Sequence, residues 1–161
     1  MKKAALVRDY LERAIPRLKG NAQALRVYVD EGGVAAIGAP GRAWEYGFKL
    51  NLIFEDMPVD ELDAVTGALL AWIELNQPSL LQSPDARRRV LTFEADFTGA
   101  HAMDVSVTLD LTQGVKLIAA AGGKFEAVHL DEPRPDPVYG QLEEVFANGA
   151  QIINHRPAHE P

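Results

Sequence analysis

Apolar residues recur at three- and four-residue steps over residues 3–18: Leu6, Val7, Tyr10, Leu11, Ala14, Ile15 and Leu18. Arg8, Asp9, Glu12, Arg13 and Arg17 take the opposite side, so the spacing predicts an amphipathic helix. Pro16 removes an internal donor, which kinks the last turn or stops the helix near Ala14. After Gly20-Asn21 the period changes to two. Leu25, Val27 and Val29 alternate with Arg26, Tyr28 and Asp30, as a half-buried strand requires. Glu31-Gly32-Gly33 reads as a turn, Val34–Ala39 as a second strand and Pro40-Gly41 as a further turn. A third strand is predicted over 43–55, with Trp44, Tyr46, Phe48, Leu50, Leu52 and Phe54 on one face. The three together read as an antiparallel meander. Gly47, inside the third, predicts a bulge or a close backbone approach.

Pro58-Val59-Asp60-Glu61 opens a second helix, with acids suited to its first turn. Leu62, Val65, Leu69, Trp72, Ile73 and Leu75 form its broad apolar face. It ends at Asn76-Gln77, ahead of Pro78. A link through Ser79–Pro84 leads to a second β half. Leu91, Phe93, Ala95 and Phe97 alternate with Thr92, Glu94 and Asp96. Met103, Val105, Val107, Leu109 and Leu111 alternate with Asp104, Ser106, Thr108 and Asp110. Gln113-Gly114 is read as a turn, and 115–120 and 124–130 as a last pair around Gly122-Gly123.

From Asp131 the character shifts. Pro133, Pro135 and Pro137 stiffen an extended arm. Beyond it a short amphipathic helix is expected, with Tyr139, Leu142, Val145 and Phe146 on one side, and no pattern over 151–161. The expected class is α+β: a largely antiparallel sheet with helices packed on one face, plus a C-terminal extended arm. The expected division is a domain over 1–130 and an arm and tail over 131–161.

Charge refines this picture. The chain has 161 residues and a net charge of −7. That balance argues against general adhesion to nucleic acid, which needs a basic footprint. It is unevenly spread: residues 1–20 carry six Lys/Arg and two acids, and residues 131–161 carry six acids and two Arg. Opposite signs at the two ends offer a basis for contact between copies. The chain has no cysteine, so disulfides and thiolate chemistry are excluded. The opening Met-Lys-Lys-Ala-Ala-Leu-Val imitates a signal peptide, but charges from Arg8 onward break it. No apolar run reaches transmembrane length, so no membrane contact is expected, and the chain is expected to be soluble and made in the cytoplasm.

Candidate chemistry is sparse. His101 lies near Asp104 but in a Gly-Ala loop. His129, Asp131 and Glu132 offer metal-ligand types, yet successive strand residues point to opposite faces. His155, His159 and Glu160 sit in the tail. No glycine pattern forms a phosphate loop. Arg87-Arg88-Arg89, the one basic run, suits a solvated helix end or loop, or a grip on a phosphate or a neighbour's carboxylates. No catalytic, cofactor or metal site is expected, and the function is expected to lie in surfaces.

Three stretches carry a family resemblance. They are Leu25-Arg-Val-Tyr-Val-Asp-Glu-Gly-Gly-Val-Ala-Ala-Ile-Gly, Gly41-Arg-Ala-Trp-Glu-Tyr-Gly-Phe-Lys-Leu-Asn-Leu-Ile-Phe and Leu70-Ala-Trp-Ile-Glu-Leu-Asn-Gln-Pro-Ser-Leu-Leu. With Phe93-Glu94-Ala95-Asp96, they resemble the tail completion protein R (GpR) family of temperate contractile-tailed phages over about residues 3–130. The resemblance implies a structural virion protein, not an enzyme, at the head-proximal end of the tail. It implies a terminator that stops tube and sheath polymerisation and prepares head-tail joining. The implied partners are further copies in a homo-hexameric ring, the tail tube protein, the tail sheath protein and neck or connector proteins.

DNA would pass through such a ring without specific binding, past acids rather than Arg87–Arg89. Arg13, Arg17, Arg87, Arg88, Arg89, Tyr139, Leu142 and Phe146 are the candidate interface residues. The basic N-terminal helix of one subunit would meet the acidic arm of the next. The alternatives are a transient tail-assembly adaptor absent from finished particles, and a small enzyme gathering His101 or His129 with acids.

Overall fold

The computed structural model describes residues 2–37 and 42–132, and the backbone alone of 144–147 and 150–154. Helix α1 (Lys2–Ala14) forms where the apolar spacing places it. Pro16 ends it, and the chain continues as a single 3-10 turn, Pro16–Leu18. Helix α2 (Leu62–Asn76) follows a 3-10 turn at Val59–Glu61 and stops before Pro78. A further 3-10 turn, Pro78–Leu81, leads to the short helix α3 (Pro84–Arg89). Ser83 caps α3, its Oγ accepting from Ala86 N at 3.1 Å, which satisfies one of the orphan donors of the first turn.

The sheet is antiparallel. Strand β1 (Leu25–Ile37) pairs with β2 (Ala43–Pro58), and β2 with β4 (Ala102–Ala120). One edge of β4 carries two partners in succession: β3 (Leu91–Phe97) against its first half and β5 (Lys124–His129) against its second. The strand order is β1-β2-β4-β3, with β5 beside β4. The helices cover one face. Val7, Leu11, Val65, Leu69, Trp72 and Ile73 pack on Leu50, Leu52, Phe54, Val105 and Leu109, all at most 1% exposed. Each such buried side chain contributes roughly 1.5–3 kcal/mol, so truncating any one of them weakens the whole domain. The α+β expectation is met in this arrangement.

Local turn signals are overridden at two places. Glu31-Gly32-Gly33 is not a turn, and the meander of three strands is a hairpin of two. Asp30 pairs with Lys49 and Gly33 with Gly47, so Glu31 and Gly32 together oppose Phe48. That is a β-bulge, with Glu31 at φ 47° and the Asp30 carboxylate accepting from Glu31 N at 2.9 Å. The strand continues because β2 is long enough to pair with both halves. Gly47, expected to mark a bulge or a close approach, pairs with Gly33 directly beside this bulge, with open space where a side chain would stand.

Gln113-Gly114 is not a turn either, because β4 is one strand of 19 residues whose pairing on β2 continues through both positions to Lys116. A second bulge at Glu55-Asp56 is held by Asp104, whose Oδ1 accepts from Asp56 N at 2.8 Å.

Beyond Glu132 the expected helix is corrected over 144–147. Glu144–Ala147 is strand β6, antiparallel to β7 (Ala150–Asn154), within a stretch expected to lack pattern from 151. Val145, Ile152 and Ile153 favour extended backbone, and Asn148-Gly149 is the dipeptide preferred between hairpin strands. Strand β7 runs beside α1 and α2. The Pro40-Gly41 turn and the arm over 133–143 lie outside the described residues.

Candidate assembly surfaces

Between the reach of β3, which ends at Leu109, and that of β5, which begins at Val115, the edge of β4 lacks a strand partner among the described residues. The end of α2 fills this gap. Gln77, fully buried, accepts from Thr112 N (3.3 Å) through Oε1 and donates through Nε2 to Thr112 Oγ1 (2.7 Å). The same Oε1 accepts from Lys3 Nζ at 2.8 Å. Lys3 Nζ also pairs with Glu132 Oε1 at 2.9 Å, and Lys2 Nζ with Asp131 Oδ1 at 3.0 Å. Gln113 Oε1 caps the start of α1, accepting from Lys2 N (3.0 Å) and Lys3 N (3.4 Å). Leu130 lies over Gly114 and donates its N–H to the Gly114 carbonyl at 2.9 Å. Lys2, Lys3, Gln113, Leu130, Asp131 and Glu132 line a small cavity of about 170 Å³. The node joins α1, α2, β4 and residues 130–132 within one chain.

The node was not foreseen. One signal for it is present in the sequence: Gln113 stands at a position where the alternation of β4 calls for an apolar residue. Asp131 and Glu132, read as possible metal ligands with His129, are instead committed to Lys2 and Lys3. His129 Nδ1 is buried without a hydrogen-bond partner among the described residues. Asp104 stabilises a bulge, and the exposed His101 uses its carbonyl, which accepts from Val59 N at 3.2 Å. Among the described residues no three His, Asp or Glu side chains converge as a metal site would need. His155, His159 and Glu160 lie outside them.

The candidate arginines divide. Arg17 is engaged in its own fold: Nε donates to Glu61 Oε2 at 2.7 Å and Nη1 to the Glu55 carbonyl at 3.3 Å. Arg13 is exposed on α1. It lies close enough to Tyr10 to act on its phenol. Burial raises the Tyr10 pKa, Arg13 opposes that rise and Glu74 adds to it. Arg87, Arg88 and Arg89 are exposed on α3, at the entrance to β3. The structure does not bring them to Arg13 or Arg17 on a common element. Tyr139 and Leu142 lie outside the described residues, and only the backbone of Phe146, in β6, is described.

Away from the helices the sheet is polar and mostly acidic. Asp30, Glu45, Glu94, Asp96 and Asp110 are exposed there. Lys49, on the same face, has its pKa raised by a hydrogen bond to Glu31 and by that carboxylate's charge. A shallow hollow of about 400 Å³ crosses this face, from Asp30 and Lys49 to Thr92 and Arg89. The helix-side face is apolar but incompletely covered. Phe93 and Phe97 on β3 share that face with Val107 and Met103, yet are 52% and 66% exposed. Val29 and Val34 stand exposed at the opposite edge, on β1. No described helix is long and apolar enough to cross a membrane.

Comparison with known proteins agrees with a protein built for contacts. Residues 1–133 match the P2 phage tail completion protein R (GpR) family. The chain is 30% identical over 152 residues to tail completion protein R of Escherichia phage P2, covering 94% of this chain and 97% of that protein. An alignment of that extent continues past residue 133. No solved structure matches the chain. On both grounds the chain belongs to the P2 phage tail completion protein R (GpR) family, a family of structural phage tail proteins.

Proposed function

We propose that this protein closes the head-proximal end of a contractile tail as a homo-hexameric ring. There it stops polymerisation of tube and sheath and offers a surface to neck or connector proteins. The observation that carries the reading is the family match, which spans nearly the whole of this chain and of the phage P2 protein. The surfaces suit it. Large apolar side chains stand exposed along both edges of one sheet, where an isolated monomer would gain nothing from them. The role is one of binding and geometry, with no catalytic step.

In the ring, the acidic sheet face carrying Glu45, Glu94, Asp96 and Asp110 turns toward the lumen. DNA then passes without adhering, because like charges repel. Arg87–Arg89 face a neighbour or a tail protein instead. Arg13, together with Tyr139, Leu142 and Phe146 of the arm region, contributes further subunit contacts. In this reading residues 1–130 form the ring domain, and 131–161 an arm whose base is clipped to its own α1. That clip, Lys2–Asp131 and Lys3–Glu132, also favours a second reading: a self-contained subunit that assists tail assembly and leaves. Co-sedimentation with finished tails separates the two. Retention at one end of purified tails supports the terminator, and absence from finished particles supports the adaptor.

A further inference from the structure

The two edges of the main sheet are unlike each other, and neither has a strand beyond it among the described residues. The described parts of β1 and β3 contain no proline and no lysine, exposed apolar side chains line both, and the bulge of β1 lies beyond residue 30, leaving 25–30 regular. The path β1-β2-β4-β3 has four strands, each antiparallel to the next. Their directions therefore alternate, and β1 and β3 run oppositely. A second copy in the same orientation would set its β1 antiparallel to this β3, the more stable pairing.

The side chains agree. The rows across the sheet are Glu94–Ser106–Ile53–Arg26 and Phe93–Val107–Leu52–Val27. Continued without stagger into the next copy, these rows place Glu94 opposite a neighbour's Arg26 and Phe93 opposite its Val27. Opposite charges meet on the polar face, and apolar residues meet on the helix side.

We infer that the ring is held by β-augmentation, with residues 25–30 of β1 in one copy adding to β3 of the next and covering its exposed Phe93. The contact is heterologous: each copy offers one edge and receives the other, so the chain of contacts can close on itself. This inference rests on the ring reading above and supplies its interface.

Engineered cysteines test it without background, since the chain has none of its own. Tyr28→Cys is combined in turn with Thr92→Cys, Glu94→Cys and Asp96→Cys, all on the polar face. Within one copy these positions lie three strand spacings apart, about 14 Å, beyond disulfide reach. Any disulfide is therefore between copies. At least one pair should oxidise, alone and on tails, to a ladder of covalent multimers, while the single variants give none beyond a dimer. Glu94→Lys should abolish the ring mass, and adding Arg26→Glu should restore it. A ring in native mass spectrometry with no ladder from any of the three pairs overturns the edge pairing and leaves the ring standing. A protein that forms no ring, alone or on tails, overturns both.

Discussion

Lys3 Nζ lies 2.9 Å from Glu132 Oε1, across 129 positions of chain. Their side chains are 6% and 20% exposed, and the same ammonium donates to Gln77. Removing the lysine leaves the Glu132 carboxylate largely out of water, with only a long contact to Gln77 Nε2 at 3.4 Å. Lys3→Met should therefore cost roughly 2–4 kcal/mol, read as a lower urea midpoint at unchanged slope. Lys2→Ala, which removes the exposed pair with Asp131, should change stability by less than about 0.5 kcal/mol. Equal effects of the two would contradict a buried node.

Arg17 and Arg13 should behave differently. Arg17→Glu sets two carboxylates together where the Arg17–Glu61 pair now stands at 2.7 Å. A loss of roughly 2–4 kcal/mol is expected, partly recovered by adding Glu61→Arg. Arg13→Glu changes an exposed side chain, so the fold should hold within about 0.5 kcal/mol. Arg13 is thus the usable probe of charge contact between subunits. Its reversal should lower the ring fraction in native mass spectrometry if the acidic arm of a neighbour meets α1. An unchanged ring would remove that contact.

Gly114 is a packing requirement of the node. A Cβ there would stand 3.3 Å from Leu130 Cδ1 and 3.5 Å from its Cβ. Leu130 is partly exposed and can give a few tenths of an ångström, so Gly114→Ala should stay within about 1 kcal/mol of wild type. Gly114→Val drives branched methyls into Leu130 and should cost about 1–3 kcal/mol, measured by thermal melting. If valine is as well tolerated as alanine, Leu130 does not pack over Gly114.

Alkaline pH should expose Tyr10. Its folded pKa is raised above the ordinary phenol value of 10.0, chiefly by burial. The unfolded chain then releases the phenolic proton first. Its share of stability is complete below about pH 10 and is lost as pH rises toward the folded pKa. Tyr10→Phe should flatten the fall of the urea midpoint in that window relative to wild type. Parallel pH profiles would mean that the phenol is not buried.

Much of this fold is legible in the sequence, for a physical reason. Residues 103–111 alternate strictly and residues 44–54 do so except at Ile53, and only one register buries their apolar sets. Pro16 and Pro78 mark helix ends because proline cannot supply the donor. Glu31–Gly33 and Gln113-Gly114 mislead because turn residues report local preference. A long partner strand outweighs that preference, leaving a bulge at the first and nothing at the second. At 139–147 a weak helical spacing hides a strand that Asn148-Gly149 would have signalled. The candidate surfaces are less legible. Phe93 and Phe97 read as ordinary inward residues, and their exposure depends on how far the helix layer reaches. Arg13 and Arg17 look equivalent along the chain, and only the packing of Glu61 separates them.

If this chain acts as a ring at one end of a tail, the mass of its native assembly reveals it. Native mass spectrometry of the purified protein, followed by a pull-down with tail tube and sheath, should give a hexamer, or a monomer that becomes a ring on tails. A monomer that never joins tails would contradict the account.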